Sequence, residues 1–178
     1  MSPLSWNYAV TEIPNGARQY RQIATEKECA AIAAELGLAG CASLAASYAI
    51  RAMGGGRYTV EGTIDANLTQ SCIVTLEPIE ARLQLPMAVE FAPELPPVRP
   101  SAATADASAD VEVLSLPEVE KIEHGTLDVG RVVFEILAAG LDPYPKKPEA
   151  TFDWQDPKAD DERVNPFAVL AKLKPKSG

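Results

Sequence analysis

The chain has 178 residues, of which 47% are hydrophobic and only 6% are aromatic. This length is typical of a single domain, and it is sufficient to bury a core that needs no disulfide or metal for its stability. Its 25 acidic and 16 basic residues give a net charge of −9, which excludes extensive contact with a nucleic-acid backbone unless a local basic patch is present.

The cysteines and the N-terminal sequence predict a protein of a reducing compartment. Cys29, Cys41 and Cys72 are odd in number and widely spaced, so they form neither a CxxC pair nor a disulfide framework. The N-terminal residues lack the basic and apolar regions of a signal peptide. The longest uncharged run, residues 36–50, is shorter than the ~20 residues that span a bilayer. We therefore expect a cytoplasmic protein that does not enter the membrane.

The N-terminal part of the chain predicts two strands and a helix. Apolar and polar residues alternate over residues 6–10, which predicts a strand, and a weaker second strand is predicted over residues 17–24. Thr25 and Glu28 form the sequence of a capping box, which predicts a helix over residues 26–36.

Three runs of alternating apolar residues follow, and they predict an antiparallel meander with one covered face. The glycines at 54–56 predict a hairpin turn between the first two runs. A phosphate-binding loop is the less suitable interpretation, because no helix and no lysine follow these glycines as such a loop requires. The third run contains Pro86, so that strand is expected to be bulged or to lie at an edge. The covered face is predicted to comprise Leu44, Ala46, Tyr48, Ile50, Ala52, Tyr58, Val60, Ile64, Ala66, Leu68, Ile79, Ala81, Leu83, Leu85, Met87, Val89 and Phe91.

The second half of the chain predicts one further main helix between irregular segments. Residues 93–110 are rich in Pro, Ala and Ser without periodicity, which predicts a flexible insertion. Val111 and Val113 are consistent with a short strand. Asp128 predicts the N-terminal cap of a helix that Gly140 ends.

The whole pattern predicts an α+β fold, with two main helices packed on the antiparallel sheet. The sheet and helices form a single domain over residues 1–141. An extended tail over residues 142–178 follows, with a short helix near residues 166–173.

Three stretches of the sequence share their order and spacing with a known family. They are residues 60–91, above all Leu-Thr-Gln-Ser-Cys at 68–72 and Leu-Glu-Pro-Ile at 76–79; residues 124–128 with the following helix and Leu-Asp-Pro-Tyr-Pro at 141–145; and residues 165–174. Together they resemble the YceD family of large-subunit ribosomal RNA accumulation proteins, over roughly residues 40–178.

The resemblance implies a role in the accumulation of 23S ribosomal RNA, through its synthesis, processing or stability during large-subunit assembly. The implied partner is a large-subunit precursor or its RNA, contacted directly or through protein. No enzymatic activity, cofactor or small-molecule substrate is implied. The motif positions carried over as structural residues are Cys72, Glu77, Pro78 and Asp128.

The sequence departs from the family where many members place a CxxC. Here Cys72 is followed by Thr75 in the second cysteine position, and residues 84–91 supply no further pair. Structural zinc sites need four sulfur or imidazole ligands, and the single histidine, His124, is far along the chain. We therefore expect no bound metal, and we expect the apolar connection over residues 72–78 to replace the metal clip.

Cys72 and His124 are also the residue types of a thiol–imidazole catalytic pair. Nothing in their spacing supports such a pair. The apolar neighbours Ile73, Val74 and Leu76 instead predict a buried structural cysteine.

The terminal segment is the candidate element for binding a partner or RNA. It combines a helix cap, a proline start, apolar residues at helical spacing and a run of lysines, and it follows a long polar linker. The alternative is that this segment packs on its own domain or is disordered. The candidate residues are Asn165, Pro166, Phe167, Leu170, Lys172, Leu173, Lys174 and Lys176.

A second hypothesis is an escort for a basic large-subunit ribosomal protein. An acidic surface would attract and shield such a partner before its incorporation. The acidic residues proposed for this surface are Glu112, Glu118, Glu120, Glu123 and Asp128.

Metal analysis tests the expected absence of zinc. Because Thr75 stands where a second cysteine ligand would be needed, protein purified without a histidine tag should contain well below one zinc per chain. One zinc per chain that survives dialysis against a chelator would contradict this expectation.

Overall fold

Seven strands and two helices make up the part of the chain that this computed structural model describes, residues 2–94 and 118–151. The strands in chain order are β1 (Asn7–Ala9), β2 (Ala17–Ile23), β3 (Gly40–Gly54), β4 (Arg57–Ser71), β5 (Pro78–Ala92), β6 (Glu118–Lys121) and β7 (Thr126–Asp128). The helices are α1 (Glu26–Glu35) and α2 (Val129–Gly140), and a 3-10 turn spans Val10–Glu12.

Five of these strands form one sheet with the order β2-β3-β4-β5-β6. Neighbouring strands are antiparallel except β5 and β6, which are parallel. β3, β4 and β5 are each 15 residues long, and the hairpin turn between β3 and β4 is built from the glycines at 54–56, all with positive φ. β1 and β7 form a separate antiparallel pair. The predicted α+β class is therefore confirmed.

One face of the sheet carries the core, as the alternation of the sequence predicts. The register sets inward-facing residues side by side, as in the pairs Ala46↔Ile64 and Val60↔Val89. α1 packs on β3, and α2 packs against β5 and β1. Six residues of the predicted covered face are only half-buried: Ala52, Tyr58, Ile79, Ala81, Leu83 and Leu85. The core cluster includes Ile32, Leu44, Ala46, Tyr48, Ile50, Val60, Ile64, Ala66, Leu68, Met87, Val89, Phe91, Val132, Val133 and Leu137.

Both helices begin at the predicted caps. The Thr25 hydroxyl accepts from the Glu28 amide at 3.3 Å, and the Glu28 carboxylate accepts from the Thr25 amide at 2.8 Å. The Asp128 carboxylate accepts from the Arg131 amide at 2.9 Å. Neither helix of the described residues is long and apolar enough to cross a membrane.

The N-terminal prediction is wrong in extent. The strand predicted over residues 6–10 is limited to β1, because Val10 enters the 3-10 turn. The weaker strand predicted over residues 17–24 is a regular strand, paired with β3 along all seven residues. β6 and β7 leave no signal in the sequence pattern, because they are only four and three residues long.

Pro86 lies in the part of β5 that pairs only with β4 among the described residues. The register of β4 and β5 is regular through the pair Thr63↔Pro86, so no bulge occurs there. Within the described residues, β6 pairs with β5 only from Val89 to Ala92 and leaves the outer side of Pro86 without a neighbouring strand. Of the two predicted alternatives, the bulge is excluded, and among the described residues this part of β5 pairs on one side only, with β4.

Several predictions fall outside the described residues. They concern most of the insertion at residues 93–110, the strand at Val111 and Val113, and the terminal helix near residues 166–173. Residues 142–151 are described, and they have no regular secondary structure.

Gly62 of β4 lies opposite Tyr48 at a point where β3 and β4 approach too closely for a side chain. A Cβ atom at this position would lie 2.2 Å from the Ser47 carbonyl oxygen and 2.6 Å from the Tyr48 Cα. Gly62→Ala should therefore lower the free energy of unfolding by roughly 3 kcal/mol, because the site would be overpacked. Chemical denaturation followed by circular dichroism measures this difference.

Gly40→Ala is the matched control. A Cβ atom at Gly40 would meet only side-chain atoms of Thr69, at 3.7 Å, which is an ordinary contact. This variant should change the free energy of unfolding by less than about 1 kcal/mol. Equal losses in the two variants would contradict the steric explanation.

Candidate functional site

Two of the three stretches that carry the family resemblance meet at one corner of the molecule. The loop between β4 and β5 lies against the segment that follows α2. We term residues 70–77 and 141–147 the loop corner. The candidate residues of the third stretch and its lysine run all lie outside the described residues: Asn165, Pro166, Phe167, Leu170, Lys172, Leu173, Lys174 and Lys176.

Hydrogen bonds join the two halves of the loop corner. The Ile73 amide donates to the Pro145 carbonyl at 2.9 Å. The side-chain amide of Gln70, which is buried at the end of β4, donates to the Asp142 carbonyl at 2.9 Å. The start of the predicted tail is thus held against the sheet by bonds to its backbone carbonyls.

The loop between β4 and β5 also closes on itself. The Cys72 amide donates to the Glu77 carbonyl at 2.8 Å, and the Leu76 amide donates to the Cys72 carbonyl at 2.9 Å. Leu76 has a φ of 60°, in the left-handed region that few non-glycine residues occupy. The backbone of this loop is therefore a tight, hydrogen-bonded turn around Cys72.

The Cys72 thiol is enclosed by this turn. Its side chain is 0% exposed, yet it is not part of the hydrophobic core cluster. Hydrogen bonds from the Thr75 hydroxyl and from the amides of Lys147, Thr75 and Val74 lower the pKa of Cys72 to about 6, against the opposing effect of burial. Cys72 is therefore mainly a thiolate at neutral pH, held by N–H and O–H donors.

The expectation that apolar side chains close this loop is wrong. Ile73 and Leu76 are 54% and 78% exposed, so neither packs beneath the loop. The turn is closed by its backbone hydrogen bonds and by the donors around the Cys72 sulfur. Cys72 itself is buried, as predicted. The described residues contain no group of three or more side chains placed to bind a metal ion.

Glu77 and Lys147 form an ion pair across the loop corner, with their Oε2 and Nζ atoms 2.7 Å apart. This hydrogen-bonded contact lowers the pKa of Glu77 and raises the pKa of Lys147. The Thr75 hydroxyl is close to both the Glu77 carboxylate and the Cys72 sulfur. Because it has one proton, it can donate a hydrogen bond to only one of them at a time. The next motif residue, Pro78, is exposed at the first position of β5.

Large apolar side chains are exposed at the loop corner. Ile73, Leu76 and Tyr144 are 54%, 78% and 72% exposed. The other exposed large apolar residues of the described part are Ile23 and Met53, which lie singly on β2 and β3. A local concentration of exposed apolar side chains is typical of an interaction surface.

Ile73 also lines a groove of about 540 Å³. Its walls come from the end of α1, the end of β4 and the segment after α2. It is lined by apolar residues, by the polar residues Gln70 and Ser71, and by the acidic residues Glu35 and Asp142. The apolar lining includes Leu36, Leu38, Leu141 and Pro145.

Two members of the predicted acidic surface are engaged within the fold. Asp128 caps α2, and Glu120 forms an ion pair with Arg131, which also contacts Glu135. The acidic surface required by the escort hypothesis is therefore smaller than the sequence suggests. The structure does not describe the side chains of Glu112 and Glu118.

The thiol–imidazole pair is not formed. The groups that act on the Cys72 sulfur belong to Val74, Thr75 and Lys147, and no imidazole is among them. His124 is exposed in the turn before β7, where it has a positive φ of 51°.

Sequence reasoning missed the contributions of Tyr144 and Lys147. Both residues lie in a segment that is rich in proline and charge, and such a composition predicts an extended chain but not what it contacts. The stretch at 141–145 that contributes to the family resemblance includes Tyr144, whereas no feature of the sequence singles out Lys147.

The chain was compared with known proteins. No family model, no curated protein and no solved structure matches it. The resemblance to the YceD family therefore depends on the three stretches of sequence alone.

The low pKa of Cys72 can be tested by removing its strongest donor. Thr75→Val eliminates the hydroxyl, so the thiol should titrate above the value of about 6 found with Thr75 present. Thiolate absorbance near 240 nm, measured against the same protein carrying Cys72→Ser, follows this titration. Thr75→Ser retains the hydroxyl and should titrate like the unaltered protein.

The same shift predicts how stability depends on pH. The folded pKa of Cys72 is about 6, below the ordinary value of 9.0, so the stabilisation is present above pH 9 and is lost as pH falls through 6. Thr75→Val should therefore be more destabilising at pH 9 than at pH 5.5. An unchanged titration in Thr75→Val would contradict the assigned cause.

Proposed function

We propose that this chain is a non-enzymatic cytoplasmic binding protein that supports accumulation of 23S ribosomal RNA during large-subunit assembly. The observation that carries the proposal is the meeting of two resemblance stretches at the loop corner, although they lie more than fifty residues apart in the sequence. Their residues surround a set of exposed apolar side chains, and we assign the contact with the precursor particle to this surface.

The loop corner is suited to binding because it is ordered in advance. Its loops are fixed by hydrogen bonds between Ile73 and Pro145 and between Gln70 and Asp142. A surface that is already rigid loses little conformational entropy when a partner binds. Leu76 and Tyr144 supply apolar area, and aromatic side chains are enriched among residues that dominate binding energy.

The terminal segment supplies the basic charge that RNA contact requires. The chain carries a net charge of −9, and Lys172, Lys174 and Lys176 form its local run of cations. Thirteen residues lie between Thr151, which follows shortly after the loop corner, and Asn165. The fourteen chain steps from Thr151 to Asn165 can reach up to about 46 Å when extended. Linked contacts of this kind raise overall affinity without requiring either to be strong.

Sedimentation of a cell lysate through a sucrose gradient, probed for this protein, tests the proposal. The unaltered chain should comigrate with large-subunit precursors. The double variant Leu76→Ser with Tyr144→Ser should reduce this association by about tenfold or more, because it removes the exposed apolar contacts. Ile23→Ser with Met53→Ser is the matched control, since it removes similarly exposed apolar side chains from elsewhere and should comigrate normally.

Changes to the terminal segment separate its contribution from that of the loop corner. Deletion of residues 165–178 should weaken comigration while leaving the melting temperature of the remaining protein almost unchanged. Replacing Lys172, Lys174 and Lys176 with glutamine should reduce the salt dependence of binding, by about one unit of slope for each lysine that binds a phosphate group. Migration of the unaltered chain in a small complex with one ribosomal protein would favour the escort hypothesis instead. Normal comigration of the loop-corner variant would exclude that surface.

A further inference from the structure

Two cysteines from different elements lie side by side where α1 packs on β3. Cys29 is a buried residue of α1, and Cys41 is a half-buried residue at the start of β3. Neither cysteine is in a disulfide, and the Cys29 thiol contributes to the raised pKa of Cys41. The sequence alone gives no reason to pair them, because eleven residues and the end of a helix separate them.

Both cysteines line one surface pocket of about 280 Å³. Small side chains form most of its wall. A small reagent that enters this pocket meets both cysteines. The remaining lining residues are Ala24, Glu26, Ala30, Ala33, Gly40 and Ala42.

We propose that Cys29 and Cys41 form a modification site that reacts with low-molecular-weight disulfides, such as glutathione disulfide, and closes reversibly to an internal disulfide. The third cysteine, Cys72, takes no part, because it is 0% exposed and its sulfur is already held by hydrogen bonds within its own loop. This inference does not depend on the function proposed above.

The exchange balances in two steps. One cysteine thiolate attacks a sulfur of glutathione disulfide, forms a mixed disulfide and releases one glutathione thiolate. The second cysteine then attacks the protein sulfur of that mixed disulfide and displaces the second glutathione. Two electrons pass from the cysteine pair to glutathione disulfide, and the two thiol protons end on the two released glutathione molecules.

The surroundings of Cys41 indicate how fast this reaction proceeds. Burial and the neighbouring Cys29 thiol raise the pKa of Cys41 to about 12, so Cys41 is protonated at neutral pH. Thiolates are the reacting species, so exchange should be slow at pH 7 and faster at pH 9. This behaviour suits gradual equilibration with a thiol–disulfide pool better than rapid capture of peroxide.

Mass spectrometry of the full chain, incubated with glutathione disulfide at pH 7 and at pH 9, tests the proposal. The native protein should lose two hydrogen masses, retain no glutathione, and yield a crosslinked peptide pair containing Cys29 and Cys41. Unfolding the oxidised protein in the presence of an alkylating reagent should then label a single cysteine, Cys72. Dithiothreitol should restore all three thiols.

Single substitutions provide the matched comparisons. Cys41→Ser should retain glutathione on Cys29, because no second thiol remains to displace it, and Cys29→Ser should retain it on Cys41. Cys72→Ser should form the internal bond at the same rate as the unaltered chain. The proposal is overturned by a stable glutathione adduct on the unaltered chain, by a crosslink that includes Cys72, or by no reaction at pH 9 within hours.

Discussion

Antiparallel pairing of three 15-residue strands is the constraint on which the rest of this structure depends. Side chains alternate between the two faces of a strand, so a slip of one residue would turn the whole covered face towards solvent. Gly62 strengthens this constraint, because the chain at Tyr48 passes too closely for any side chain at that position. The same pairing brings the end of β4 and the start of β5 beside the segment that leaves α2, which is how the loop corner forms.

The parts of the fold that are encoded locally could be predicted from the sequence. The alternation around Tyr48 and the caps at Thr25 and Asp128 each depend on neighbouring residues, and each is found as expected. The pairings of β1 with β7 and of β6 with β5 join residues that are distant in the sequence, and such short strands leave little local pattern. The candidate site could be predicted only in part for the same reason. The burial of Cys72 was expected, but its contact with Lys147 joins distant parts of the sequence.

The turn around Cys72 shows how hydrogen-bond donors can stabilise a loop around a buried sulfur atom. A buried thiolate needs compensation for its missing solvation, and here the Thr75 hydroxyl and three amides provide it. These donors occupy the space inside the turn, so its apolar residues turn outward. The exposure of Ile73 and Leu76 is thus a consequence of how the cysteine is satisfied, and their apolar character in the sequence did not reveal it.

The length of the central strands sets a scale for what the protein can touch. A strand of 15 residues extends over about 50 Å at roughly 3.3 Å per residue. The glycine turn and the loop corner therefore lie at opposite ends of the long central strands. No small molecule could contact both ends at once. A partner that contacted both ends would have to be a macromolecule. The sheet would then act as a spacer that holds two points of that partner at a fixed separation.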